Sequence, residues 1–411
     1  MNYSGPIISI PFPMPLKPSQ ILSQLNSRRS EFSRFDEETF RVLALYQKAI
    51  IEAIGISTAE LVDRLSKKKD CGAVPLEGLD AFESWILACG LQWENREQSN
   101  AWVREQLGGV STFAVDGSQI YPGKDLSVPV ALVQIGWFEN LHTEQGQYFK
   151  DIDSCVMTPQ DLKVERLGGE LADRKVNMRR FEMETQRIVD YIEEHEGMEN
   201  ALAFFDGSFV ASFAEAFDPE TQECYVRCVR NVLEASEHFR VAVVAYIDTS
   251  TARDLTSMLQ NLFKLPDNKA IHDAKLLDKL YFNKFEPQTM EWGDRTPIFR
   301  CDRSGILSTY GVHGDRIAFC YLKTNRESLP ARLELPMWVY ESGRSEQILN
   351  WVRAEVAIGG GYPYVIETAD QVAVVQAKDR QAFYKILQDW SEKEGLKLRM
   401  SRKMASKARR R

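Results

Sequence analysis

The sequence predicts a mixed α/β domain in which an antiparallel meander leads into parallel strands, flanked by helices and preceded by a helical extension. Three observations carry that prediction. Between residues 111 and 157, the runs "TFAVDG", "VPVALVQIGWFEN" and "GQYFKDIDSCVM" follow one another with turn residues between them, as in a meander. From residue 171, helical patterns alternate with apolar runs: "LADRKVNMRRFEMETQRIVDYIEEH", "ALAFFDGS", "PETQECYVRCVRNVLEASEH", "FRVAVVAYIDTS". Strands that are apolar throughout are covered on both faces, and helices between them imply parallel pairing through right-handed crossovers. Before residue 109, "DEETFRVLALYQKAIIEAI" and "LDAFESWILACGLQWENREQSNAWVREQL" carry apolar residues at helical spacing.

Beyond a looser region at about 260–305, "DRIAFCYLKT" and "ARLELPMWVY" read as a strand pair. "EQILNWVRAEVAIGG" and "ADQVAVVQAKDRQAFYKILQDWSEKE" read as helices. The expected division is a helical N-terminal region at 1–108, the α/β domain at 109–395 and a basic, disordered tail at 396–411.

Composition narrows the function classes. The 411 residues are 44% hydrophobic and 27% charged, as in ordinary globular proteins, and no apolar run approaches a bilayer span. The N-terminus lacks the basic and apolar regions of a signal peptide, so a cytoplasmic location is the default expectation. Seven scattered cysteines form no disulfide framework, and five histidines form no zinc-binding cluster. There is no P-loop lysine beside the triple glycine and no nucleophile elbow around either Asp-Gly-Ser. A net charge of −8 excludes a uniformly basic coat, yet residues 397–411 hold eight Lys or Arg and no acid. Lys403, Arg409 and Arg410 in that tail are candidates for phosphate contacts.

Ligands of α/β sheets gather at the carboxyl ends of strands. Asp116, Asp206 and Asp248 each follow an apolar run, and Gly117 and Gly207 are expected to swing the chain away and leave the first two carboxylates open. A meander followed by parallel strands, with an aspartate on the first strand, is the layout of ribonuclease H-like nucleases. Their chemistry needs several carboxylates around one or two divalent cations, and hard oxygen ligands suit Mg²⁺ or Mn²⁺. Two such ions can activate a water and stabilise the leaving oxygen of a phosphoryl displacement. A third acid comes from the helix before the second Asp-Gly-Ser, where "MRRFEMETQ" offers Glu182 and Glu184. Two residues apart, they point about 200° apart around a helix, so one of them can face the metals.

The ordered set "FAVDGS", "RRFEME", "FFDGSF" and "GYPYVIETADQVAVV" resembles the NurA family of DNA-repair nucleases over residues 109–390. That family's C-terminal motif is a Tyr-Pro pair, then an Ala-His or Ala-Asp step with the His or Asp eight residues after the Tyr. Tyr362-Pro363 and Ala369-Asp370 reproduce it. The resemblance implies a ribonuclease H-like fold and Mn²⁺-dependent nuclease activity, with Mg²⁺ as the alternative ion. Its substrates would be single-stranded DNA and 5′ ends of duplexes, in double-strand break repair, with a HerA-type hexameric ATPase as partner and a homodimer as assembly. It makes Asp116 and Asp206 metal ligands. It favours Glu182 as the third acid, directly after the Arg-Arg-aromatic step, with Glu184 as alternate. Tyr362 and Asp370 complete the set, Asp370 also as a ligand, and Asp248 is a weaker candidate. Arg179 and Arg180 are placed to contact phosphates. Archaeal members often carry His at the last position, and an aspartate ligand cannot protonate a leaving group as an imidazolium could. Two other readings stand beside this one: a non-catalytic regulator of a hexameric DNA translocase, and a different ribonuclease H-like nuclease such as one acting on RNA–DNA hybrids.

Overall fold

The computed structural model describes residues 16–78, 84–123, 126–162, 170–278, 280–281, 287–396 and 398–399. Lys403, Arg409 and Arg410 lie outside the described residues. The described residues begin with α1 (Pro18–Ser27), α2 (Arg29–Ile54), α3 (Thr58–Ser66), β1 (Gly72–Pro75) and α4 (Arg96–Leu107). The expected meander follows as β2 (Ser111–Ile120), β3 (Ala131–Asn140) and β4 (Tyr148–Met157). After α5 (Pro159–Leu162), the alternation is α6 (Glu170–Glu194), β5 (Ala201–Asp206), α7 (Pro219–Phe239) and β6 (Ala242–Ile247). Then come α8 (Asp254–Phe263), α9 (Asp273–Leu277), a small hairpin of β7 (Leu280–Tyr281) and β8 (Pro287–Gln288), and strands β9 (Phe299–Asp302), β10 (Ile317–Leu322) and β11 (Ala331–Pro336). Helices α10 (Met337–Glu341), α11 (Ser345–Ile358), α12 (Tyr364–Ala373) and α13 (Ala377–Lys393) are the last elements among the described residues.

Among the described residues, nine strands form one sheet in the order β1-β9-β10-β11-β6-β5-β2-β3-β4. β2, β3 and β4 pair antiparallel, whereas β2–β5 and β5–β6 pair parallel, so β4-β3-β2-β5-β6 is the ribonuclease H-like core. Alternation of side chains divides the apolar residues between two layers. Phe113, Val115, Ala203, Phe205, Val243 and Ala245 pack with residues of α6, α7 and α8 on one face. Ala114, Leu202, Phe204, Val244 and Tyr246 pack with residues of α11 and α12 on the other. The side chains of β5 and β6 are thus covered on both faces, which is why these strands read as unbroken apolar runs.

The structure departs from the sequence reading in three places. Residues 79–107 were expected to be helical, but among the described residues of that stretch only Arg96–Leu107 is, entered through an Asn95 side chain that accepts the Gln98 N–H. Upstream, β1 pairs with β9 and Leu87 exchanges backbone hydrogen bonds with Arg295, so the N-terminal region adds backbone to the sheet edge. "MWVY" leaves the strand at Pro336 and turns helical as α10. The last expected helix is two: α12 stops at Ala373, the Val375 N–H donates to Ser118 Oγ on β2 at 3.1 Å, and a Gln376–Asp379 capping box starts α13. Among the described residues no single helix is long and apolar enough to cross a membrane.

Candidate active site

Asp116 belongs to β2 but not to its end. The strand runs on through Gly117 to Ile120, with Asp116 opposite Gly136 and Gly117 opposite Ile135 on β3. The expected turn at Gly117 is therefore absent. The glycine serves close approach instead: a Cβ there would lie 2.6 Å from Arg180 Cγ and collide with the Glu184 carboxylate. At the second Asp-Gly-Ser the expectation holds. β5 ends at Asp206, Gly207 adopts φ +138°, and its N–H donates to the Tyr246 carbonyl at 3.2 Å. The two motifs share a sequence and differ in backbone role.

Asp116, Asp206 and Asp248 follow the same alternation as Ala114, Phe204 and Tyr246, which places all three on the α11–α12 face. Asp370, on α12, reaches them from above. A Cβ on Gly136 would stand 2.6 Å from the Ala373 amide nitrogen, so only a glycine lets α12 settle this low over β3. Glu355, fully buried on α11, accepts hydrogen bonds from Thr112 Oγ1 at 2.7 Å and from the Val365 N–H at 3.1 Å, tying the first turn of α12 to β2. Tyr362, between α11 and α12, packs edge-on against Tyr246 at 5.2 Å and donates through Oη to Asp206 Oδ1 at 3.4 Å. Asp206, Asp248, Asp370 and Tyr362 line one cleft of about 590 Å³, with Gly359–Gly361 along its wall.

The two glutamates, Glu182 favoured and Glu184 the alternate in the sequence reading, have different surroundings. Glu182 turns toward α7, 3.0 Å from Arg227 Nη2 and 3.3 Å from Cys224 Sγ, with Arg179 3.6 Å away on its own helix. Glu184 faces the sheet at Gly117, where the charges of Asp116 and Asp206 act on it beside that of Arg180. Helical spacing carried this signal: Phe181, Ile188 and Tyr191 stand at i−3, i+4 and i+7 from Glu184, placing it on the apolar stripe that meets β2. Arg180 accompanies it, donating to the Gly117 carbonyl at 3.1 Å and lying 3.5 Å from Glu184 Oε1. Arg179 is turned away from the acids.

Electrostatics tie the set together. Burial first, then a carboxyl hydrogen bond shared with Asp370 and the charge of Asp206, push Asp116 up to about 6. Burial and the charges of Asp116 and Asp206 push Glu184 up to about 8, against the pull of Arg180. Asp206 is raised by burial and by Asp370 and Asp248, against the Tyr362 hydrogen bond and Arg180. The Tyr362 hydroxyl is raised by burial and by Asp206.

Among the described residues no three His, Cys, Asp or Glu side chains stand close enough to enclose a metal ion as they lie. The donor set nevertheless fits a hard divalent cation. Every donor is a carboxylate oxygen, the acids raise one another's affinity for protons, and Glu184 Oε1 is buried without a hydrogen-bond partner. A cation would satisfy the orphaned oxygen and offset the repulsion, with the acids drawing together on it.

Among curated protein sequences none matches the chain. Solved structures that resemble it include the NurA nuclease from Sulfolobus solfataricus, 14% identical, covering 69% of this chain and 85% of that one, with a TM-score of 0.46. A NurA structure with manganese is 12% identical, covers 72% of this chain and 94% of that one, and has a TM-score of 0.39. The catalytic domain of human Endonuclease V is 14% identical, covers 70% and 88%, and has a TM-score of 0.31. The NurA domain family matches residues 110–375, which contain the whole β2–β6 core and all the acids above. With well over half of its length matched, the chain belongs to the NurA family.

Proposed function

We propose that this chain is a divalent-metal-dependent nuclease acting on DNA, with Asp116, Glu184, Asp206 and Asp370 holding the cation. The observation that carries the proposal is that these carboxylates, borne on β2, α6, β5 and α12 of a NurA-family chain, act on one another: Asp370 and Asp206 raise Asp116, and Asp116 and Asp206 raise Glu184. Mn²⁺ is the favoured ion and Mg²⁺ the alternative, since both take oxygen donors. Such a cation, when bound, lowers the pKa of a coordinated water and offsets charge developing on a phosphodiester.

The chain's own groups divide the remaining work. Tyr362 orients Asp206 through its hydroxyl. Arg180 keeps a positive charge beside Asp116 and Glu184 and fixes itself to the β2 backbone. Asp248 lies on the rim of the cleft, where its charge reaches Asp206 without joining the acids around Glu184. Family membership supports single-stranded endonuclease and 5′-end exonuclease activity in double-strand break repair, as a homodimer with a HerA-type ATPase.

The test is Asp116→Ala in the full chain, assayed on single-stranded DNA with Mn²⁺. Loss of one metal carboxylate should cost several kcal/mol in the transition state, roughly 10³-fold in rate. A variant as fast as wild type would sink the proposal. Nicking abolished by EDTA and by Asp206→Asn would exclude the reading as a non-catalytic regulator.

A further inference from the structure

We infer that Glu334, on β11 and outside the acid set, is a positioning residue that holds Asp206 in place for metal binding. Glu334 is fully buried, and its carboxylate faces the turn that carries Asp206 away from β5. Oε2 accepts the Phe209 N–H at 2.7 Å, and Ser208 Oγ donates to the two oxygens at 3.0 and 2.9 Å. With the Gly207 N–H on the Tyr246 carbonyl, the three residues after Asp206 are pinned from β6 and from β11 beyond it.

Glu334 is itself held. Arg332 Nε donates to its Oε1 at 2.7 Å, and Arg332 Nη1 donates to Asp254 Oδ2 at 2.7 Å. Asp254 is in turn paired with Arg303, and the Arg332 guanidinium lies over the Phe319 ring at 3.9 Å from its centroid. A buried ionic chain of this kind brings little net stability, because desolvation offsets most of the Coulomb attraction, and apolar residues of similar volume would serve a core as well. What apolar residues could not provide is a fixed pair of acceptor oxygens for the donors of one turn. The chain Arg303–Asp254–Arg332–Glu334 ends on the backbone next to Asp206, and that location accounts for it. It acts as the hydrogen-bonded outer layer of a metal site acts, by fixing the orientation of a ligand it does not touch.

The inference rests on Asp206 being a metal ligand, so its test reads metal affinity as well as turnover. Full-length Glu334→Gln is compared with wild type in Mn²⁺ titration without DNA, in kcat and KM on a single-stranded oligonucleotide, and in thermal unfolding. Loss of such outer-layer partners costs about 10–100-fold in metal affinity or activity, and KM for DNA should stay within about twofold. A folded Glu334→Gln with wild-type Mn²⁺ affinity and kcat overturns the inference, as does one that loses only DNA affinity. If Glu334→Gln does not fold, Ser208→Ala and Ser208→Thr decide: Ala should weaken Mn²⁺ binding and Thr, which keeps the hydroxyl, should restore it, whereas two wild-type affinities refute the role. Mn²⁺ binding by a wild-type chain that cuts no DNA would refute the nuclease reading alone, and the affinity comparison would still decide this one.

Discussion

Replacing Glu184 and Glu182 separately by Gln should give opposite results, and the pair isolates the third acid. Glu184 sits beside Asp116 and Asp206, and its carboxyl is pushed from an ordinary 4.5 up to about 8. In the metal-free protein the folded state therefore holds a proton that the unfolded state has released. The unfolded chain binds fewer protons across this window, so stability falls as pH rises from about 4.5 to about 8, by up to ~1.4 kcal/mol per pH unit. Between pH 6 and pH 8 the fall is about 2 kcal/mol from this group, in the absence of metal. Glu184→Gln removes the titrating group, while Arg180 keeps its hydrogen bond to Gly117. The metal-free variant should lose most of that slope and match or exceed wild-type stability at pH 8, yet cleave DNA roughly 10³-fold more slowly. Glu182→Gln, which breaks a half-exposed pair with Arg227, should keep the wild-type activity and lose at most about 1 kcal/mol. Urea unfolding of both proteins in EDTA at pH 6, 7 and 8, with Mn²⁺-dependent cleavage in parallel, reads all of this. A wild-type slope in Glu184→Gln, or loss of activity in Glu182→Gln, would refute the reasoning.

Three further outcomes are expected. Gly136→Ala puts a Cβ 2.6 Å from the Ala373 nitrogen, and α12 must retreat by several tenths of an ångström, carrying Asp370 with it. This should cost about 1–3 kcal/mol of stability and roughly 10–100-fold in cleavage rate, and a variant with wild-type melting and rate would show that α12 need not sit so low. Tyr362→Phe keeps the ring against Tyr246 but loses the hydroxyl on Asp206. It should lower kcat while changing stability by less than about 1 kcal/mol, and an unchanged kcat would mean the hydroxyl does not orient Asp206. Deleting residues 397–411 removes eight Lys or Arg, and DNA binding should weaken with a shallower salt dependence; unchanged affinity and slope would refute a role for the tail.

Much of this protein was readable from local pattern. The meander, the helix–strand alternation and the placing of Asp116 and Asp206 behind apolar runs follow from apolar periodicity and short motifs, because a strand covered on both faces and a helix covered on one leave different marks in sequence; Tyr362 and Asp370 stood out only through the resemblance to the NurA family. The pattern misled where partners came from far along the chain. Residues 79–107 carry apolar residues at helical spacing, yet Leu87 within them bonds to the backbone of Arg295, more than two hundred residues later. The apparent long C-terminal helix breaks where Ser118 on β2 captures the Val375 N–H.

By itself, then, the sequence determined the core topology, the acidic residue types and their order along the chain. Tertiary packing decided which of them influence one another. Glu184 faces β2 at Gly117, while Glu182 faces α7, because α6 stacks Tyr191 on Phe113 of β2 and Gly117 leaves room for that glutamate rather than turning the chain. A hydrophobic period states that a helix has a buried face, but which charged neighbour is carried under with it depends on the surface that face meets.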